Sequence, residues 1–128
     1  MGAIFNKAYG QTPTGLSAVD VLNFALKLEY LESFFYQQRP TTGLSAANAA
    51  ALTTIAADEA NHVTFLRTVI SSLGGTPVAA PTAATFDFTA GKGTNAGPFA
   101  DYRTNVTTYL ALAQSFEDTG VRAYKGAA

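Results

Sequence analysis

The 128-residue chain is long enough for one modest core, is 48% hydrophobic and only 13% charged, and carries a formal net charge of −1; about 25% charged residues is usual for a soluble domain. With no Lys/Arg cluster it has no electrostatic footprint for nucleic acid or an anionic membrane surface. No stretch approaches the roughly 18 apolar residues of a membrane span, and the absence of cysteine excludes a disulfide frame, a thiolate metal site and a catalytic thiol.

Met1 to Gly15 holds one lysine and no apolar run, so it does not read as a secretory signal. The Thr- and Ala-rich, Lys-poor composition nevertheless suits an exported protein, periplasmic or extracellular, whose signal is not in this chain. The first helix is expected over about residues 17–38: Ser17 and Asp20 form an approximate capping box, and Arg39-Pro40 stops the run. The second is expected over about 45–73, from Ser45 to a stop at Gly74-Gly75. The short connection between these two long helices implies an antiparallel hairpin. A Pro-, Gly-, Thr- and Ala-rich stretch over about 74–98 is too long for a turn and reads as a crossover along the bundle. Within it Thr85-Phe86-Asp87-Phe88-Thr89 alternates, predicting a brief extended piece whose two Phe rings cover an end of the core. The third helix is expected over about 99–125, opening near Pro98 to Asp101, with Gly126 behind it. Asn105-Val106-Thr107 fits the glycosylation pattern but falls in this helix and reads as unused.

Each helix points one carboxylate into its apolar stripe. On a wheel of about 100° per residue, Leu22, Ala25, Leu26, Ser33 and Tyr36 lie within roughly 60° of Glu29. Leu52, Ile55, Val63 and Leu66 surround Glu59, and Leu110, Ala113, Val121 and Tyr124 surround Glu117. Three ionised carboxylates in one core would each cost several kcal/mol and repel one another unless protonated, paired or metal-bound. Only Lys27, Arg67 and Arg122 are placed as mid-helix partners, so a metal ion is the economical answer. The single histidine supports it, because Glu59-Ala60-Asn61-His62 is a Glu-x-x-His pair that brings carboxylate and imidazole to one helix face. The first and third helices also repeat each other: Ala25, Glu29 and Tyr36 stand at the same spacing as Ala113, Glu117 and Tyr124, which suggests a duplicated helix pair.

Three segments, Asp20 to Glu32, Asp58 to Arg67 and Ala113 to Gly126, together resemble the ferritin-like superfamily, and most closely its ferritin-like and desiccation-related subgroup. The resemblance implies an all-α antiparallel bundle with a long crossover between helices two and three. It implies metal ligation by Glu29, Glu59, His62 and Glu117, with Glu59 bridging two iron or manganese ions. Tyr36, Tyr124 and Glu32 would stand just outside the ligands, the tyrosines bonding a ligating carboxylate or only packing their rings. The implied activity is oxidation of Fe(II) or handling of oxygen or peroxide; the alternative is a non-catalytic, stress- or desiccation-related or assembly-forming bundle with a structural or vestigial site. The family's fourth helix, with a second Glu-x-x-His, would begin past Ala128 and is absent from this chain. Further sequence of a longer protein, a partner segment or a homo-oligomer would have to supply it; two copies pairing their first two helices about a twofold axis would also complete the ligand set.

Overall fold

The computed structural model describes residues 17–127, so the opening segment Met1 to Gly15 lies outside the described residues. Three helices, α1 (Ala18–Tyr36), α2 (Ala46–Ser72) and α3 (Val106–Ala127), form an all-α bundle, and there is no strand among the described residues. α1 is the central element. Both other helices pack on it, and they hardly touch each other. Both also run antiparallel to it. Along α2 the partners are Tyr30 with Arg67 and Arg39 with Thr53, and along α3 they are Glu29 with Tyr124 and Tyr36 with Glu117.

The helix ends follow the capping chemistry of the sequence. Ser17 Oγ accepts from Asp20 N at 3.1 Å while Asp20 Oδ2 accepts from Ser17 N at 2.8 Å, the reciprocal capping box. At the end of α2 the two glycines do different work. Gly74 takes φ +78°, its N–H bonds Ser71 O, and Gly75 N–H bonds Ile70 O, which completes a Schellman stop. A Cβ on Gly75 would fall 2.6 Å from Val19 Cγ1, so this glycine lets the chain pass against the start of α1.

Two boundaries depart from expectation. α3 begins at Val106, not near residue 99, because residues 98–104 close a chain of three-residue turns (Phe99 O to Tyr102 N, Asp101 O to Thr104 N). Asn105 is the cap: its Oδ1 accepts from Thr107 N and Thr108 N, and its Nδ2 donates to Asp101 Oδ2. This employs the asparagine of the glycosylation match in the fold. α3 also runs through Gly126 to Ala127. In the crossover, the expected extended piece is a 3₁₀ turn at Ala83–Thr85 followed by loop. Asp87 organises that loop, its carboxylate accepting from Thr89 Oγ1 and from the N–H groups of Thr89, Gly93 and Asn95, which hold it down to a pKa of about 2.

The crossover lies along α1 as expected. Asn23 Nδ2 donates to Thr76 O and Asn23 Oδ1 accepts from Val78 N at 2.7 Å, while Tyr30 Oη donates to Val78 O. Farther on, Phe88 is buried against Phe35 and Phe86 lies 5.9 Å from Phe34, so the two crossover rings do cover one end of the core. Two apolar clusters result. Leu26, Tyr30, Leu66 and Ile70 fill one end of the α1–α2 pair; Phe35, Tyr36, Leu52, Phe88, Tyr102, Tyr109 and Leu112 fill the other. Phe35 is the hub of the second, stacked on Tyr109 at 4.6 Å and edge-on to Phe116 at 4.9 Å. The carboxylates stand between the clusters.

Asn23→Ala removes both clamps on the crossover and leaves the partly buried Val78 N–H unpaired, so it should lower unfolding free energy by about 1–3 kcal/mol. Asn23→Asp retains the acceptor and should lose less. An unchanged urea midpoint for the alanine variant would show that the clamp contributes nothing.

Candidate functional site

Glu29 and Glu32 lie one helical turn apart on α1, Glu59 and His62 likewise on α2, and α3 brings Glu117. Glu29, Glu32 and Glu59 are 3%, 7% and 5% exposed, so three carboxylates are buried in one layer. One donor atom from each of Glu29, Glu59 and His62 lies within 4.8 Å of the other two. His62 Nδ1 stands 3.2 Å from Glu29 Oε2 and 3.2 Å from Glu59 Oε2, while the rest of its ring is open to solvent. Glu117 faces the same cavity, of about 450 Å³, without joining that three-residue group.

The two tyrosines singled out from the sequence repeat are cross-connected. Tyr36 on α1 donates to Glu117 Oε1 on α3 at 2.6 Å, and Tyr124 on α3 donates to Glu29 Oε1 on α1. In this register, antiparallel packing of two helices with the same Glu-to-Tyr spacing makes the exchange reciprocal, each tyrosine reaching back to the other helix's glutamate. Burial, then the carboxylate each phenol bonds, pushes both tyrosines above their usual range, so both remain donors.

Glu32, expected just outside the ligands, is buried alongside Glu29 and Glu59. Its counterpart in the repeat is Gly120, and the two meet: a Cβ on Gly120 would stand 3.2 Å from Glu32 Oε1. They occupy equivalent places in the repeat of α1 and α3, and a side chain at Gly120 would crowd the Glu32 carboxylate. Glycine at that point admits the carboxylate. The paired spacing of Glu29-Glu32 against Glu117-Gly120 was the available signal.

The electrostatics follow from crowding. Burial, then Glu59, Glu29 and Glu117 around it, raises Glu32 to a pKa of about 8, and burial together with Glu29 raises Glu59 to about 7. Partial burial works against protonation of His62, but Glu59 and Glu29 outweigh it and hold the imidazole above its usual value. The mid-helix cations do not relieve this crowding. Among the described residues, His62 supplies the only ion pairs, and Arg67 donates instead to Tyr30 Oη. The cavity also has an open side. On α3 the expected stripe is only partly covered, since Ala113 is buried but Leu110, Val121 and Tyr124 are exposed, as is Phe65 on α2.

No curated protein and no solved structure matches the chain. A family model described as a ferritin-like domain matches residues 17–128, which takes in all three helices, the crossover and the carboxylate layer. That match covers most of the chain, and the chain belongs to the ferritin-like domain family.

Proposed function

We propose that the chain binds a divalent transition metal through Glu29, Glu59 and His62, with Glu117 directed at a second ion beside the first, in a di-iron carboxylate type of site. The observation that carries this reading is one imidazole nitrogen facing two carboxylate oxygens at the same 3.2 Å. That nitrogen holds at most one proton and donates well to only one oxygen. An ion about 2.1 Å from each donor, at angles of roughly 90–109°, sets donors about 3.0–3.4 Å apart. Carboxylate and imidazole donors suit iron or manganese over copper(I). Such ions, when bound, supply redox chemistry towards Fe(II), oxygen or peroxide. The chain's own contribution is to hold the carboxylates: Tyr124 orients Glu29 and Tyr36 orients Glu117.

A different observation favours a second reading. The compact donor group stops at three residues and lies open beside exposed Leu110 and Val121. A stress- or desiccation-related or assembly-forming bundle would retain such a site for structure alone, or as a vestige. The open side fits one further helix, from a longer chain, a partner or another copy. A copy docking through its own α1 and α2 is the less favourable source, because α3 already covers the flank of α1 beside Glu29.

Metal analysis after anaerobic loading with Fe(II), and separately with Mn(II), tests the site. Bound metal should be lost in Glu59→Ala and in His62→Ala; wild-type protein that takes up neither metal, and melts identically with and without chelator, would sink the proposal. Oxygen consumption on Fe(II) addition then separates the redox reading from the structural one. In Tyr36→Phe and Tyr124→Phe, metal affinity should fall by roughly tenfold each, read by chelator competition.

The raised carboxyls also set a pH dependence. Glu32 and Glu59 hold protons in the folded chain that the unfolded chain releases above its ordinary 4.5. Their stabilising contribution is therefore complete below about pH 4.5 and is lost as pH rises through about 7 and 8. Metal-free protein should melt progressively lower across that window. Saturating Mn(II) should abolish the fall, and Glu32→Gln should flatten it; a pH-independent melting temperature in the metal-free wild type would contradict the burial argument.

A further inference from the structure

A second cavity, of about 470 Å³, lies away from the carboxylates at the C-terminal end of α1, beneath the crossover. One wall is aromatic. The half-buried rings of Phe34 and Phe86 lie 5.9 Å apart, and Phe86 and Phe88 are 5.9 Å apart. Arg103 stands at the same cavity, its guanidinium over the Tyr102 ring at 5.5 Å from the centroid. Its Nε donates to Tyr102 Oη at 3.0 Å and its Nη2 donates to Gln38 Oε1. Those bonds hold the fork in place and leave Nη1 without a protein acceptor among the described residues. Among the described residues no carboxylate lies within 4.0 Å of the group, and none of those lining the cavity is acidic. Asn95 also lines the cavity; its backbone N–H is committed to Asp87, while its side-chain amide has no partner among the described residues.

We propose that this cavity binds a small aromatic carboxylate, its ring against the phenylalanine wall and its carboxylate on Arg103 Nη1 and the Asn95 amide. A pre-positioned guanidinium without a counter-charge favours a planar oxyanion, which it bonds with charge-assisted donors. A single cation suits a monoanion such as a carboxylate better than a phosphate dianion. Three phenyl rings on one wall favour a flat ring over an alkyl chain through offset or edge contacts, and the volume lies in the range of small-ligand sites. This site shares no residue with the carboxylate centre and does not depend on metal binding.

The test is an NMR titration of the whole chain with cinnamate, cinnamyl alcohol and hexanoate as probes. Cinnamate should give saturable shifts at Phe34, Asn95 and the Arg103 Nε–H, with both other probes at least roughly tenfold weaker, as loss of a charge-assisted bond or of ring packing requires. Arg103→Gln should weaken cinnamate by a similar factor, and Arg103→Lys by less. Because Arg103 also tethers Gln38, Asn95→Ala serves as a second variant on an exposed loop side chain and should bind cinnamate several-fold more weakly. Non-saturating shifts, equal binding of the alcohol, or unaltered affinity in Arg103→Gln and Asn95→Ala alike would overturn the proposal.

Discussion

Everything in this bundle is arranged around a layer of carboxylates buried between two apolar clusters. Glu29, Glu32 and Glu59 are nearly inaccessible, and Glu117 faces them from α3. Hydrocarbon packing alone would exclude such a layer, since each unpaired charge costs several kcal/mol. The chain offsets that cost by raising Glu32 and Glu59 towards their neutral forms, with the imidazole of His62 and with two phenol donors. The same groups make the layer receptive to a cation, because a divalent ion relieves the mutual repulsion that otherwise raises the carboxyl pKa values.

α1 carries most of this. It supplies Glu29, Glu32 and Tyr36, and its remaining surface is divided among three neighbours: α2, α3 and the crossover that Asn23 and Tyr30 bind. That explains why α1 buries residues over a broad arc, from Leu26 and Tyr30 to Phe35, while Phe24 and Lys27 stay exposed on the remaining side. The exchange of tyrosines between α1 and α3 ties packing to chemistry: the bonds that dock α3 on α1 are those that orient two of the carboxylates. A slip of α3 by one turn would break both, so the register of the third helix and the geometry of the site are one constraint.

The repeat keeps Ala25, Glu29 and Tyr36 in step with Ala113, Glu117 and Tyr124, and one of the positions where it breaks is useful. At the position where α1 has Glu32, α3 has Gly120, and the pair meets face to face. Two glutamates there would add a fifth carboxylate and a steric collision. Two large side chains would push the helices apart and open the layer to water. The broken repeat is therefore what lets the helices close over the carboxylates.

Much of this was legible in the sequence, because helical periodicity and short-range capping are local. Ser17-Asp20 and Gly74-Gly75 mark ends that the backbone confirms bond by bond. The wheel placed Glu29, Glu59 and Glu117 against apolar neighbours, and Glu59-Ala60-Asn61-His62 already put imidazole beside carboxylate. Tertiary structure decided what depends on which side of a helix is covered. Leu110 and Val121 share the stripe of Glu117 yet remain exposed, because α3 turns Tyr109, Leu112 and Gly120 towards α1. Glu32 went deeper for the complementary reason: Gly120 left room for it. The start of α3 falls at the Asn105 cap, because the turns before it hold Tyr102 in the core. Local spacing determines which residues share a face; only the packing of α1 against its three neighbours determines which faces meet, and hence which carboxylates are buried together.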